Sequence, residues 1–133
     1  MMSDEEIQQA LRQATAGLLF MSEADYPFEV VNWGGLNEIT SDYLRRQAGA
    51  GPGAPIKDVS PDKFFAMAIS EPEWKPEEEV ATARRYQALL RLLKENLDGL
   101  KVYKVGEINI AVYIVGRAAS GNLLGLSTRV VET

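Results

Sequence analysis

The stretch 108–115 is apolar on both sides of an extended chain, and this limits the chain to folds whose sheet is covered twice. Side chains alternate across a strand, so Ile108, Ile110, Val112 and Ile114 fall on one face. Asn109, Ala111, Tyr113 and Val115 fall on the other, which is half apolar as well. A sheet with one wet face would alternate more cleanly. The neighbouring runs 101–105 and 123–131 are also β-prone, with Gly106-Glu107 reading as one hairpin turn and Ser120-Gly121-Asn122 as the next. These signals predict a mainly antiparallel sheet with helices on both faces.

The helices have their own markers. Ser3 and Glu6 have capping-box spacing, and Ile7, Ala10, Leu11 and Ala14 recur at helical intervals up to Gly17. Thr40 or Ser41 caps a short helix reaching Arg46, and Ser60-Pro61 opens another with Phe64, Phe65, Ala68 and Ile69 as its stripe. Pro76 and Glu77 to Glu79 start the longest helix, with Tyr86, Leu89, Leu90, Leu93 and Leu97 on its core side. Residues 28–33 read as a strand, and 49–55 and 71–76 as loops. No repeat or domain boundary interrupts the 133 residues, which are expected to form a single domain.

Composition removes several chemistries. With no histidine, a Ser-His triad, a His base and a His metal ligand are excluded, and with no cysteine so are thiolate catalysis and zinc–sulfur sites. The excess of 19 Asp and Glu over 14 Lys and Arg gives a net charge of −5, against a phosphate-binding surface, so no direct nucleic-acid partner is expected. The acidic start and the shortness of the apolar runs give no secretory signal or membrane span, and a soluble cytoplasmic protein is expected. Gly49, Gly51 and Ala54 match a dinucleotide fingerprint by spacing, but no good strand precedes them, and Pro52 and Pro55 interrupt the helix that the fingerprint needs.

Three features are candidates for function. Glu23, Asp25 and Glu29 cluster near Tyr26-Pro27, and a carboxylate pair of this kind can do acid–base work when one pKa is raised by burial, although surface acids are the default. The stretch EPEWKPEEE, residues 71–79, holds five Glu and one Lys around Trp74. Glu77 to Glu79 suit a helix start, whereas Trp74 between two prolines is either a lid on the core or a binding anchor. Thr133 comes almost directly after a strand, and its hydroxyl and terminal carboxylate would suit a hard cation such as Mg²⁺. Two such groups are too few for a tight site in the free protein, and no cofactor is expected.

GLLFMSEADYPFEV at 17–30 and VYKVGEINIAVYIVG…GNLLGLSTRVVET at 102–133 resemble the cyanobacterial nuclease A inhibitor and its relatives. The similarity is closest at these two ends, looser through the long helix and the EPEW segment, and weakest from 33 to 55. It implies an α+β fold, a three-layer α/β/α sandwich, which agrees with the two-sided sheet. It also implies a non-catalytic protein that forms a 1:1 complex with a sugar-nonspecific, Mg²⁺-dependent endonuclease and is a monomer when free. By that resemblance Glu23 meets a nuclease arginine, Glu73-Trp74 forms the second contact with Glu where the family carries Asp, and Thr133 reaches the magnesium of the bound nuclease. The alternatives are a binding module of the same fold with another protein partner, and, last, a carboxylate enzyme using Glu23 and Asp25.

Overall fold

The structure, a computed structural model, describes residues 2–20, 25–70 and 77–132. Helix α1 (Asp4–Thr15) starts as its sequence dictates. The Ser3 hydroxyl accepts from the Glu6 amide, the Glu6 carboxylate accepts from the Ser3 amide, and three acids meet the positive helix end. A small hairpin of β1 (Leu19–Phe20) and β2 (Tyr26–Pro27) comes next, then β3 (Glu29–Gly34) and α2 (Ser41–Ala48). Thr40 is the cap of α2, accepting from the Tyr43 amide, and Gly49 ends the helix in the left-handed conformation that glycine adopts without a steric penalty. The chain continues through β4 (Ile56–Val59), α3 (Pro61–Phe65), α4 (Glu77–Asn96), β5 (Asp98–Val105), β6 (Asn109–Arg117) and β7 (Leu123–Val131). Among the described residues, no helix is long and apolar enough to cross a membrane.

The five long strands form one sheet in the order β3-β7-β6-β5-β4, antiparallel throughout. The two faces of β6 enter different clusters, as its sequence requires. Ile110, Val112 and Ile114 pack with Leu124 and Leu126 of β7 against Ile7 and Leu11 of α1, Phe65 of α3, and Tyr86, Leu89 and Leu93 of α4. Ala111, Tyr113 and Val115 pack with Val105 against Leu44 of α2, bordered by Trp33 and Ile56. Leu44 is only 2% exposed, and burying one such leucine contributes about 1.5–3 kcal/mol. Thus α2 docks through buried Leu44, with Ala48 packed beside it and the Tyr43 ring on Trp33.

Several boundaries differ from those the sequence predicts. The turn between β5 and β6 takes three residues, 106–108, so Ile108 lies outside β6 and is 54% exposed rather than lining a face. The turn begins at Gly106 as expected and ends one residue later; Gly106 sits at φ 117°, where a Cβ would stand 2.7 Å from the Asn109 carbonyl oxygen. β5 starts at Asp98 rather than 101, with a register shift between 98 and 101 that keeps it paired to β6. The residues of β4 carry no strong strand signal of their own, and the strand forms through pairing with residues 102–105, a partner more than forty positions away.

The register fixes which end of the sheet each helix meets. Asp4, at the start of α1, accepts from the Ser120 hydroxyl and the Asn122 side-chain amide, which ties it to the β6–β7 turn. α1 therefore ends at the opposite end of the sheet. There Arg85 of α4 donates to the carbonyls of Ala14 and Ala16 at 3.0 and 2.8 Å. The other end of α4 leads through Leu97 into Asp98, which pairs with Arg117 back near the β6–β7 turn. The first turn of α4, the β5–β6 turn and the last residues of β7 consequently share one end of the molecule, the hairpin end.

Candidate functional site

Glu23, Glu73, Trp74 and Thr133, the contact residues expected from the sequence, lie outside the described residues. Of the described residues that flank them, Tyr26, Glu77 and Glu132 stand at the hairpin end, whereas Ile69 is held farther along α4 by Gln87.

Residues 21–24 are bracketed by β1 and β2, where Phe20 pairs with Tyr26 and Leu19 with Pro27. The Phe20 ring stacks on Phe64 at 4.5 Å and meets Phe28, Phe65 and Tyr86 edge-on at 6.1–6.3 Å. These offset and edge geometries are the favoured ones for aromatic pairs. The Tyr86 hydroxyl donates to the Leu19 carbonyl, and the Thr128 hydroxyl donates to that of Pro27 at 3.0 Å. The small hairpin is thus fastened to α4 on one side and to β7 on the other. Burial pushes the Tyr86 hydroxyl pKa up to about 12, with the nearby Arg85 acting weakly downward and Asp25 weakly upward.

Residues 71–76 are bracketed by Ser70 and by α4, whose first turn carries Glu77, Glu78 and Glu79. On the near side, the Ile69 carbonyl accepts from the Gln87 side chain at 2.8 Å. Thr133 is preceded by Glu132, which is clamped twice. Its amide donates to the Ile108 carbonyl at 3.0 Å, and its carboxylate accepts from Lys104 at 2.8 Å. The Lys104 side chain is 19% exposed and that of Glu132 51%, so the ion pair is only half in water. Lys104 and Tyr86 are contributors that sequence reasoning misses; a lysine facing inward from a strand is the available signal.

The hairpin end is acidic. Asp25, Glu77, Glu78, Glu79, Glu107 and Glu132 are all exposed there, and they outnumber the exposed cations Lys57 and Arg129 of the same end. An array of this kind suits a positively charged protein surface. Asp25 and Glu29 are both solvent-exposed, the ordinary position of surface acids. Among the described residues, no three acidic side chains gather as a metal site. Gly49 and Gly51 come after a helix rather than a strand, so the glycines at 49–54 cap α2 and form a loop.

A cleft of about 440 Å³ opens on the α2 face beside β2, lined by Gln47, Tyr113, Ser127, Arg129, Glu29 and Val31. Burial pushes the Tyr113 hydroxyl pKa up, against the pull of the Arg129 cation. The sequence signal for the cleft is the set of polar residues among the outward positions of β3 and β7.

No curated protein matches the chain. A family model described as nuclease A inhibitor-like protein matches residues 5–133, which takes in every described element except the first residue of α1, and all three bracketed segments. With nearly its whole length matched, from the first turn of α1 to Thr133, the chain belongs to the nuclease A inhibitor-like family.

Proposed function

We propose that the chain is a non-catalytic, stoichiometric protein inhibitor of a sugar-nonspecific, Mg²⁺-dependent endonuclease, forming a 1:1 complex in the cytoplasm from a free monomer. The family match over residues 5–133 carries this reading. The acidic hairpin end supports it, because an enzyme that grips phosphates with cations is best plugged by a rigid surface of carboxylates. In this reading Glu23 meets an arginine of the nuclease, Glu73 and Trp74 make the second contact, and Thr133 reaches the nuclease magnesium. The residues beside all three segments are tied into the core, which lowers the entropy lost when the surface is ordered against a partner. The overall arrangement is a three-layer sandwich with α2 as the third layer; the two separate clusters on either side of the sheet support it.

The test is titration into a panel of purified Mg²⁺-dependent nonspecific nucleases, with cleavage of DNA and RNA as the readout. Full inhibition near one equivalent is expected for a cognate enzyme. Glu23→Ala and Trp74→Ala are expected to weaken it by about 2–5 kcal/mol each, as for a truncated buried charge or an aromatic hot spot. Thr133→Ala is expected to weaken it while leaving thermal stability unchanged. Inhibition by wild type that none of these changes affects would keep the function and discard the surface. No inhibition of any enzyme would leave a binding module of this family with a different protein partner.

A further inference from the structure

Helix α2 covers only part of its face of the sheet, and the cleft of about 440 Å³ opens beside that cover. Strand register sets its floor. Glu29 of β3 stands opposite Ser127 of β7, and Ser127 opposite Tyr113 of β6, so the three side chains form one row across the strands. Arg129, two residues further along β7, projects from the same face. Glu29 and Arg129 are diagonal neighbours, about 7–8 Å apart between Cα atoms, yet among the described residues neither forms an ion pair. The polar groups around these two charges are unused as well. Among the described residues, the Tyr113 and Ser127 hydroxyls and the side-chain amide of Gln47, on the α2 rim, have no hydrogen-bond partner. Tyr113 is only 7% exposed, and its ring is held against Trp33 at 5.2 Å. No sealed side-chain polar atom among the described residues lacks a partner, so the Tyr113 hydroxyl opens into the cleft. Convergent polar groups on packed side chains, left without protein partners in one cleft, are what a small-molecule site requires.

We propose that this cleft is a binding site for a small zwitterion, a free α-amino acid with an aliphatic side chain. The ligand carboxylate accepts from the Arg129 guanidinium and the Tyr113 hydroxyl, and its ammonium donates to the Glu29 carboxylate and the Ser127 hydroxyl oxygen. A plain anion would meet Glu29, and a plain cation would meet Arg129, so only a molecule carrying both charges uses the pair. Pro27, Val31 and Ala111 make the remaining wall apolar, which suits an aliphatic side chain rather than a charged one. The cleft is larger than such a molecule and leaves room for bridging water. None of its lining residues falls in the segments 21–24 or 71–76 or at Thr133, so the inference stands whether or not the chain inhibits a nuclease.

The experiment is isothermal titration calorimetry of the full chain at neutral pH with L-leucine, L-isoleucine, L-valine and L-methionine. At least one is expected to bind with a Kd of about 0.1–1 mM, an affinity within reach of a ligand of roughly ten non-hydrogen atoms. Two analogues of L-leucine separate its charges: 3-methylbutylamine lacks the carboxylate and 4-methylpentanoate lacks the amine. Each is expected to bind at least about tenfold more weakly than L-leucine. Arg129→Gln and Glu29→Gln, both at exposed positions, are expected to weaken binding about tenfold, and Tyr113→Phe several-fold. Arg91→Gln, on α4 across the sheet, is the control expected to bind as wild type does, and urea midpoints verify that every variant is folded. No binding by any of the four amino acids at about 10 mM would overturn the inference. So would binding of either analogue as tight as that of L-leucine, or affinity unchanged in both Arg129→Gln and Glu29→Gln.

Discussion

Replacing Tyr86 by Phe tests, with one missing oxygen, how the small hairpin is fastened to α4. The ring stays in the aromatic group around Phe20, so packing is conserved and only the hydrogen bond to the Leu19 carbonyl is lost. Leu19 is 43% exposed, so its carbonyl can take water instead, and the expected cost near neutral pH is about 1 kcal/mol. The pH dependence is more telling. Burial raises the Tyr86 pKa from 10.0 to about 12, so the folded protein keeps this proton where the unfolded chain has released it. Wild type is therefore expected to lose stability as pH rises above 10, by about 1.4 kcal/mol per unit and at most about 2.7 kcal/mol. The Phe variant has no such loss from this position. The wild-type advantage at neutral pH, about 1 kcal/mol, should shrink to nothing near pH 11, where the loss of about 1.4 kcal/mol offsets it. Tyr103 and Tyr113, whose pKa values burial also raises, are present in both proteins and cancel in the difference. Urea unfolding monitored by far-ultraviolet circular dichroism between neutral pH and pH 11 measures that difference. A gap between the two proteins that stays constant across the range would refute the reasoning.

Three other perturbations address different parts of the fold and site. Gly125→Ala would bring a Cβ to 1.8 Å from the Ile114 carbonyl oxygen within the central strands, so a loss of about 3 kcal/mol and a fall of roughly 10 °C in Tm are expected in a thermal melt. Lys104→Met removes one of the two clamps on Glu132; because the pair is half in water, the stability cost should be below about 1 kcal/mol, while inhibition of a cognate nuclease weakens several-fold. Changing Glu77, Glu78 and Glu107 together to Gln should slow association with that nuclease about tenfold in dilute buffer and have little effect in strong salt, whereas Glu5→Gln and Asp98→Asn, at the other end, should not. Stopped-flow association rates at two salt concentrations separate these outcomes.

Local chemistry makes a large part of the fold legible. The Ser3–Glu6 box, the leucines of α4 and the two apolar faces of β6 each carry their signal within a dozen residues, and each forms as its sequence predicts. The parts that escape sequence reasoning depend on distant partners. Ile56–Val59 has no convincing alternation of its own and becomes a strand because residues 102–105 offer it an edge. The pair β1 and β2 is two residues per strand, held by Phe64, Tyr86 and Thr128 from three other elements. Ile108 matches the strand pattern but falls in the turn that begins at Gly106. For the candidate site, the residue types at 23, 73, 74 and 133 acquire meaning from family resemblance, since a glutamate or threonine has no periodic signature. That Tyr26, Glu77 and Glu132 share one end depends on strand register and on the Arg85 and Asp4 bonds.

The chain treats the two ends of its five-stranded sheet differently. At one, Asp4 accepts from Ser120 and Asn122, so the start of α1 and the β6–β7 turn satisfy each other. At the other, acids are left in solvent while nearby backbone is fixed, by Tyr86 on Leu19 and by Lys104 and Ile108 on Glu132. Exposed like charges repel one another, and holding them close costs stability unless a partner of opposite sign is met. That cost is carried by the continuous core under the sheet, in which side chains of α1, α3 and α4 share one cluster with β5, β6 and β7. Inhibition by plugging needs this separation. The energy that keeps the surface in shape must come from residues the partner never touches, so that the free energy of contact is not consumed in building the surface.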